Sequence, residues 1–309
     1  VKIMRAVAIR GFGGPPEITD IPIPVPQEDE ILVRIEASSV NGFDTLIASG
    51  QAQSMMEYRF PVVLGRDFAG TVTSSESGDF VPGDRVFGML TGHYLHDGCF
   101  ADYVTVSGSF GVTRIPDDLS TPSAGALALA GTTALYCVTE AAIERGQNVL
   151  IAGATGGVGA IATQLVTAQG GTVIATARPG PEEELVRAMG AAQVIDYTGD
   201  IAAQAERIAP GGVDTVIHLA GDPEVFGELV RHRGRFVSTR GVASVGRGDV
   251  TTTAISATPT PDMLDDLAEA VTESRLLVPI TRTYPLEEAP KALADFDAGS
   301  LGKFAISVA

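Results

Sequence analysis

Apolar and polar positions fall into two textures along the chain. Up to about Asp118, short β-type runs are separated by Gly, Pro and Asp, among them Ile31-Leu32-Val33-Arg34-Ile35, Gly70-Thr71-Val72-Thr73 and Ala101-Asp102-Tyr103-Val104-Thr105-Val106. Turns such as Val81-Pro82-Gly83-Asp84 punctuate them, which predicts an antiparallel, barrel-like unit. The ladder Ile21-Pro22-Ile23-Pro24-Val25-Pro26 lacks a backbone donor at alternate positions and reads as an extended surface arm.

From Leu119 to Ser256 strands and helices alternate. The apolar runs Val149–Ala152, Thr172–Thr176, Val194-Ile195, Val213–Leu219 and Arg235–Ser238 are separated by helical stretches at Gly157–Gln169, Glu182–Met189, a segment through Arg207, and Glu224–Arg231. Runs apolar on both faces, alternating with helices, predict a parallel sheet covered on both sides. The tail returns to a mixed texture: a helix over Pro261–Ser274, an extended Ile280–Tyr284, a short helix over Leu286–Asp297 and a last strand, Lys303–Val308. The expected fold class is therefore α/β, with 119–261 forming a doubly wound parallel sheet and 1–118 with 262–309 forming a β-barrel-type domain.

Composition narrows the function. The chain has 309 residues, 45% hydrophobic and 19% charged, enough to build two cores. Its formal net charge of −17 argues against nucleic acid or an anionic membrane as partner, since both select basic surfaces. Two cysteines, Cys99 and Cys137, have no paired spacing, which excludes a disulfide framework and a four-cysteine zinc site. Residues 1–10 lack the charged start and apolar run of a signal peptide. The weakly polar stretch Ala124–Ala142 is broken by Gly125, Gly131 and three threonines, and reads as a buried helix rather than a span. A cytoplasmic location is expected.

The sharpest motif is Ala152-Gly153-Ala154-Thr155-Gly156-Gly157-Val158-Gly159. Glycines there permit a tight turn and close approach to a pyrophosphate, while the helix behind them presents free N–H groups. Ala154 stands where the first glycine of G-x-G-x-x-G usually sits, yet a strand precedes the turn, a helix follows, and a second strand lies about 20 residues on. That second strand ends Thr176-Ala177-Arg178-Pro179-Gly180, with no carboxylate for a ribose 2′-hydroxyl and one arginine suited to a 2′-phosphate. NADPH is thus the expected cofactor, held by residues 154–159 and Arg178. Ala220-Gly221 and Arg240-Gly241 end two later strands, where ligands collect; Arg240 is a second candidate for phosphate.

Together these residues resemble the zinc-independent quinone oxidoreductase branch of the medium-chain dehydrogenase/reductase superfamily. The likeness rests on Ala37-Ser38-Ser39-Val40-Asn41-Gly42-Phe43-Asp44, Leu64-Gly65-Arg66-Asp67-Phe68-Ala69-Gly70, Gly83-Asp84-Arg85-Val86-Phe87, Gly98–Val104, Gly131-Thr132-Thr133-Ala134, the glycine turn and Gly302-Lys303, in that order. It implies a GroES-like substrate domain beside a Rossmann domain, and hydride transfer from NADPH to a quinone or an α,β-unsaturated carbonyl. An enoyl-thioester or biosynthetic tailoring reductase and a non-catalytic NADPH-binding protein are the alternatives it leaves. It also implies that Asn41 orients the nicotinamide or donates to substrate, unless it only stabilises the turn before Gly42. Thr133 would contact the nicotinamide end, and Lys303 would approach the cofactor from the tail.

Zinc-bearing members of that superfamily place a cysteine where this chain has Val40–Asp44 and a histidine where it has Arg66. Two of three catalytic ligands are then missing, so no metal site is expected. His93-Tyr94-Leu95-His96-Asp97-Gly98-Cys99 reads as a turn-rich surface segment. Tyr58 and Tyr94 are the phenols available near the expected site, and Tyr58 is the candidate proton donor. Val250–Ser256 occupies the position of the edge strand that pairs dimers in the family, which implies a homodimer; its threonine-rich sequence leaves a weak dimer or a monomer as the alternatives.

Overall fold

The computed structural model describes residues 2–246 and 248–308, so the outermost positions of the ranges 1–118 and 262–309 lie outside it. The chain divides into two compact units: one runs to Leu129 and resumes at Thr258, the other spans Ala130–Ala257.

The first unit opens with strands β1 (Ile3–Ile9), β2 (Glu17–Pro22) and β3 (Glu30–Ser39), helix α1 (Gly42–Ala48), strands β4 (Glu57–Tyr58), β5 (Val62–Val63), β6 (Asp67–Ser75), β7 (Arg85–Met89), β8 (Tyr94–Leu95), β9 (Tyr103–Ser107) and β10 (Val112–Arg114), and helix α2 (Thr121–Gly125). The second unit contains most of α3 (Ala128–Ala141), then β11 (Asn148–Ala152), α4 (Gly157–Ala168), β12 (Thr172–Thr176), α5 (Pro181–Ala188), β13 (Gln193–Ile195), α6 (Ile201–Ile208), β14 (Val213–His218), α7 (Pro223–Gly227), β15 (Val230–Ser238) and β16 (Thr251–Ala254). The chain then re-enters the first unit with α8 (Pro261–Thr272), β17 (Ile280–Pro285), α9 (Ala289–Asp297) and β18 (Lys303–Ser307).

β3 is the spine of the first unit. It pairs antiparallel with β6, β9 and β18, in a sheet ordered β10-β7-β6-β3-β18-β17 with β9 attached to β3. Its alternation buries Ile31, Val33 and Ile35 in a core shared with Phe68, Val104 and Ile306. Gly70 permits the β3–β6 contact: a Cβ there would lie 2.0 Å from the Arg34 carbonyl oxygen. The proline ladder is not wholly an unpaired arm, because Ile21 and Pro22 close β2, which pairs with β1 through Ile3↔Pro22 and Met4↔Ile21. Proline is tolerated because β2 is the edge of its sheet. Residues 119–129 belong with this unit rather than the second. Ser120 caps α2 by accepting from the Ser123 N–H, and a Cβ on Gly125 would touch Ala37 of β3.

The second unit is a six-stranded parallel sheet ordered β13-β12-β11-β14-β15-β16. Its central strand β11 is apolar after Asn148, as a strand covered on both faces should be: Val149, Leu150, Ile151 and Ala152 are all at 0% exposure. The helix expected over Glu224–Arg231 is shorter. α7 stops at Gly227, and Leu229 and Val230 are drawn into the core as β15 begins. Strand order reverses between β11 and β14, so the loops after those two strands flank the point where open α/β sheets bind ligands.

Candidate functional site

The glycine turn sits at that reversal. Gly153 leaves β11 with φ +87°, and a Cβ on it would lie 3.0 Å from Cβ of Ala220, so the loops after β11 and β14 touch. Its N–H donates to Thr176 Oγ1 at 2.9 Å, which ties the turn to the end of β12. Gly159 packs helix on strand: a Cβ there would meet the Gly153 oxygen at 2.2 Å. Ala154 is fully buried beneath the turn, where its methyl group supports it. Thr155, Gly156, Gly157 and Val158 are partly exposed. No side chain caps α4 at Gly156, so the first-turn N–H groups of a twelve-residue helix stay available. These residues fit the pyrophosphate of a dinucleotide.

At the end of β12, Arg178 is exposed and engaged. Its side chain pairs with Glu182 at 2.6 Å, and its backbone N–H donates to the same carboxylate at 2.8 Å. Tyr197 Oη donates to Glu182 at 3.2 Å. Burial raises the Glu182 pKa, but the hydrogen bonds from Arg178 and Tyr197 outweigh it and hold the carboxyl below its usual range. The acidic start Glu182-Glu183-Glu184 therefore does more than complement the dipole of α5: its first residue is the partner of the expected phosphate ligand.

At the ends of β14 and β15, Ala220, Gly221, Arg240 and Gly241 are exposed. Buried His218 orders this edge. Its Nε2 donates to the Gly221 carbonyl at 3.1 Å, which leaves Nδ1 to accept from Ser238 Oγ at 3.0 Å; that oxygen in turn accepts the Arg240 N–H at 3.1 Å. Burial holds the imidazole below its ordinary pKa, against the pull of the Gly221 carbonyl. Nothing in the pattern Val213–Leu219 marks His218 as polar structure rather than core.

The first unit holds a second polar group, buried in its core. Asn41 caps α1, and its N–H donates to Asp44 Oδ2 at 2.8 Å. Its side-chain amide is fully used: Nδ2 donates to Asp67 Oδ2 at 2.9 Å and to the Ser39 carbonyl at 3.3 Å, while Oδ1 accepts from Lys303 Nζ at 2.7 Å. Asp67 also accepts from Ser39 Oγ at 2.6 Å and from the Leu129 N–H at 2.8 Å. Lys303 is 2% exposed, lies 3.7 Å from Asp67 Oδ2 and anchors the Asn41 side chain. Burial lowers the Lys303 pKa, opposed by the charges of Asp67 and Asp44. Burial also pushes the Asp44 carboxyl up to about 7.

Tyr58 does not join this group. Its hydroxyl donates to the Ile47 carbonyl at 2.9 Å, and its ring packs against Phe12 and Phe60, so the candidate proton is committed to the backbone. Thr133 lies inside α3, partly exposed, in the second unit. Asp67 and Ser39 are buried partners of Asn41 that the sequence marked only as parts of motifs; an apolar strand that opens on Asp is the signal that flags them. Among the described residues no three of His, Cys, Asp and Glu come together as a metal-holding group. No helix of the described residues is long and apolar enough to cross a membrane.

An uncapped, glycine-bounded helix start at the reversal of a parallel sheet, in a chain that also carries a β-rich unit, is the architecture of the medium-chain dehydrogenases/reductases. Residues 27–117 match the alcohol dehydrogenase GroES-like domain, and residues 189–305 match the zinc-binding dehydrogenase family. The quinone oxidoreductase of Sus scrofa is 30% identical over 98% of this chain and 97% of its own. The quinone oxidoreductase structure from Coxiella burnetii superposes with a TM-score of 0.89 at 27% identity, covering 100% of both chains. A mycobacterial protein solved in complex with NADPH gives 0.87 at 27% identity over 99% of this chain and 100% of its own. The chain belongs to the quinone oxidoreductase branch of the medium-chain dehydrogenases/reductases.

Proposed function

We propose that this oxidoreductase uses NADPH, without zinc, to reduce a quinone or an α,β-unsaturated carbonyl, and that it pairs with a second copy through β16. The observation that carries the reading is the end of β12. An acceptor for the ribose 2′-hydroxyl would be a carboxylate on the strand end itself, and there the chain has Thr176-Ala177-Arg178. Glu182, four residues on, is already occupied by Arg178 and Tyr197. An exposed ion pair is weak, so a phosphate dianion competes well for the same guanidinium. The NADPH complex of the mycobacterial relative supports the choice of cofactor.

The pyrophosphate would rest on residues 155–158, and the bound cofactor would supply hydride. The protein's part is to hold the nucleotide on the turn and to order the loop at Gly221 through His218. The candidate metal position supports the zinc-independent reading, because Arg66 stands there with Asn41 and Asp44 nearby in the same polar group. Stopped-flow oxidation of NADPH with a panel of quinones and enones tests the activity; tight NADPH binding with no turnover on either panel rejects it. Arg178→Ala should weaken NADPH roughly ten- to a hundredfold, the loss expected for a charge-assisted hydrogen bond, and leave NADH nearly unchanged. Equal losses for both nucleotides, measured by fluorescence titration, reject the cofactor assignment.

A further inference from the structure

Glu182 stands where the proposed cofactor would bring an anion of its own. Its carboxylate is held by groups that all lie within the second unit. Oε1 lies 2.6 Å from Arg178 Nη2 and accepts from Arg178 Nε at 2.8 Å and from Tyr197 Oη at 3.2 Å. Oε2 accepts from the Arg178 N–H at 2.8 Å. The glutamate side chain is 15% exposed, against 59% for the arginine, so the carboxylate is the sheltered member of the pair and the guanidinium the open one.

Two of these contacts do not involve the guanidinium. The Arg178 N–H and Tyr197 Oη keep the carboxylate at the strand end, and the Glu183 N–H, donating to the Arg178 carbonyl at 3.2 Å, closes the turn that carries it. Glu182 therefore stays beside Arg178 when a phosphate arrives. The other charges at this corner are engaged or turned away: Asp196 accepts from the Thr198 N–H and hydroxyl, Glu183 pairs with Arg187, and Glu184 is exposed. Burial raises the Glu182 pKa, and the hydrogen bonds from Arg178 and Tyr197 reverse that effect. A ribose 2′-phosphate carries about −1.5 to −2 at neutral pH. One guanidinium would then be shared by a dianion and a sheltered carboxylate, which leaves the carboxylate beside an excess of like charge.

We infer that NADPH binding draws a proton from solvent onto Glu182 and that NADH binding does not. The inference rests on the cofactor reading above. The 2′-phosphate takes the guanidinium, Glu182 becomes a neutral acid, and its new O–H donates to a phosphate oxygen. The solvent proton cancels one unit of the excess negative charge, and Arg178 keeps its own proton throughout. NADH brings no phosphate to this corner, so the Arg178–Glu182 pair stays as it is. Glu182 is thereby a specificity residue: it makes the affinity for the phosphorylated nucleotide alone depend on pH. A complex that holds one more proton than its separate parts weakens as pH rises, by up to about tenfold per unit.

Titration calorimetry in PIPES and in Tris, buffers of different ionisation enthalpy, counts the protons exchanged on binding. At pH 7.5 the wild type should take up roughly 0.5–1 proton per NADPH and none per NADH, and its NADPH Kd should rise about three- to tenfold from pH 7 to pH 8. That range lies above the second ionisation of a phosphate monoester, near ~6, so titration of the ligand adds little. Glu182→Gln should bind NADPH without uptake and with a Kd nearly flat over the same range. A wild type that holds NADPH more tightly than NADH and takes up no proton overturns the inference and leaves the cofactor reading intact. Uptake that persists in Glu182→Gln overturns it too, because another group then carries the proton. A wild type that holds both nucleotides equally, with no proton taken up, defeats the cofactor reading and the inference together. Should Glu182→Gln fail to fold, the wild-type difference between NADPH and NADH in proton count decides alone.

Discussion

Asp44 is buried with Oδ2 held by the Asn41 N–H and Oδ1 without a donor, an arrangement that suits a carboxylic acid better than a carboxylate. Burial accordingly pushes its carboxyl up to about 7, with the charge of Asp67 adding to the effect and those of Lys303 and Arg66 opposing it. The folded pKa lies above the unfolded one, so the folded state keeps a proton that the unfolded chain has lost. The contribution of Asp44 to stability is then present below its ordinary value near 3.8 and is lost as pH rises through about 7. Asparagine preserves the acceptor for the Asn41 N–H and removes the titration. Asp44→Asn should raise thermal stability less at pH 5 than at pH 8.5, the gain growing between the two by an amount on the order of a few kcal/mol. Melting curves across that range decide the matter: a stability difference that does not grow with pH shows that Asp44 titrates normally. Glu182 invites the opposite manipulation at the second site. Glu182→Gln frees Arg178 and should tighten NADPH severalfold over wild type, a gain that isothermal titration would register and that NADH should not share.

At the scale of elements, the turn between β11 and α4 separates support from contact. Gly159→Ala drives a methyl to 2.2 Å from the Gly153 oxygen and 2.6 Å from Ala154 Cα, both backbone atoms, and should cost roughly 1–3 kcal/mol of stability as overpacking. Gly156→Ala meets only the Gly153 oxygen, at 3.7 Å, on a residue with φ −79° that accepts any side chain. Its methyl adds bulk to the partly exposed turn proposed to hold the pyrophosphate. The melting temperature should therefore move by no more than about 2 °C while NADPH weakens about tenfold or more. A normal NADPH Kd in Gly156→Ala would place the dinucleotide elsewhere. This turn was legible in the sequence because a buried parallel strand, a glycine run and an apolar helix are local signals, and the same holds for β11, β12 and β14. The first unit was less legible. β2 ends on a proline whose tolerance depends on lying at an edge, and β4 and β8 are two-residue strands fixed only by each other. The buried polar group escaped for a related reason. Motif order marks Arg66, Asp67 and Lys303 as positions, but burial of a lysine and an arginine arises from partners far apart in sequence, such as Lys303 Nζ on Asn41 Oδ1.

The whole molecule carries −17, from 21 basic and 38 acidic residues. Two copies brought together double that charge, so the pairing proposed above requires a surface where like charges are absent. β16 meets the requirement. It closes the second unit's sheet, pairs with β15 on one side, and its residues Thr251, Thr252, Thr253 and Ala254 bear no charge. An uncharged edge strand is a template for a second copy, while the remaining acidic surface repels it. Those two terms respond differently to salt. Backbone hydrogen bonds along the edge are indifferent to ionic strength, whereas the repulsion is screened over about 10 Å at 0.1 M. Sedimentation velocity should therefore show the dimer fraction rising as NaCl increases from about 20 mM to about 300 mM. Glutamates at Thr251 and Thr253 add like charges directly at the edge and should leave the protein monomeric at both salt concentrations, with its NADPH affinity unchanged. A double variant that dimerises as the wild type does would show that the copies meet on a different surface, and dimerisation that weakens with salt would show that an ion-pair interface outweighs the net charge.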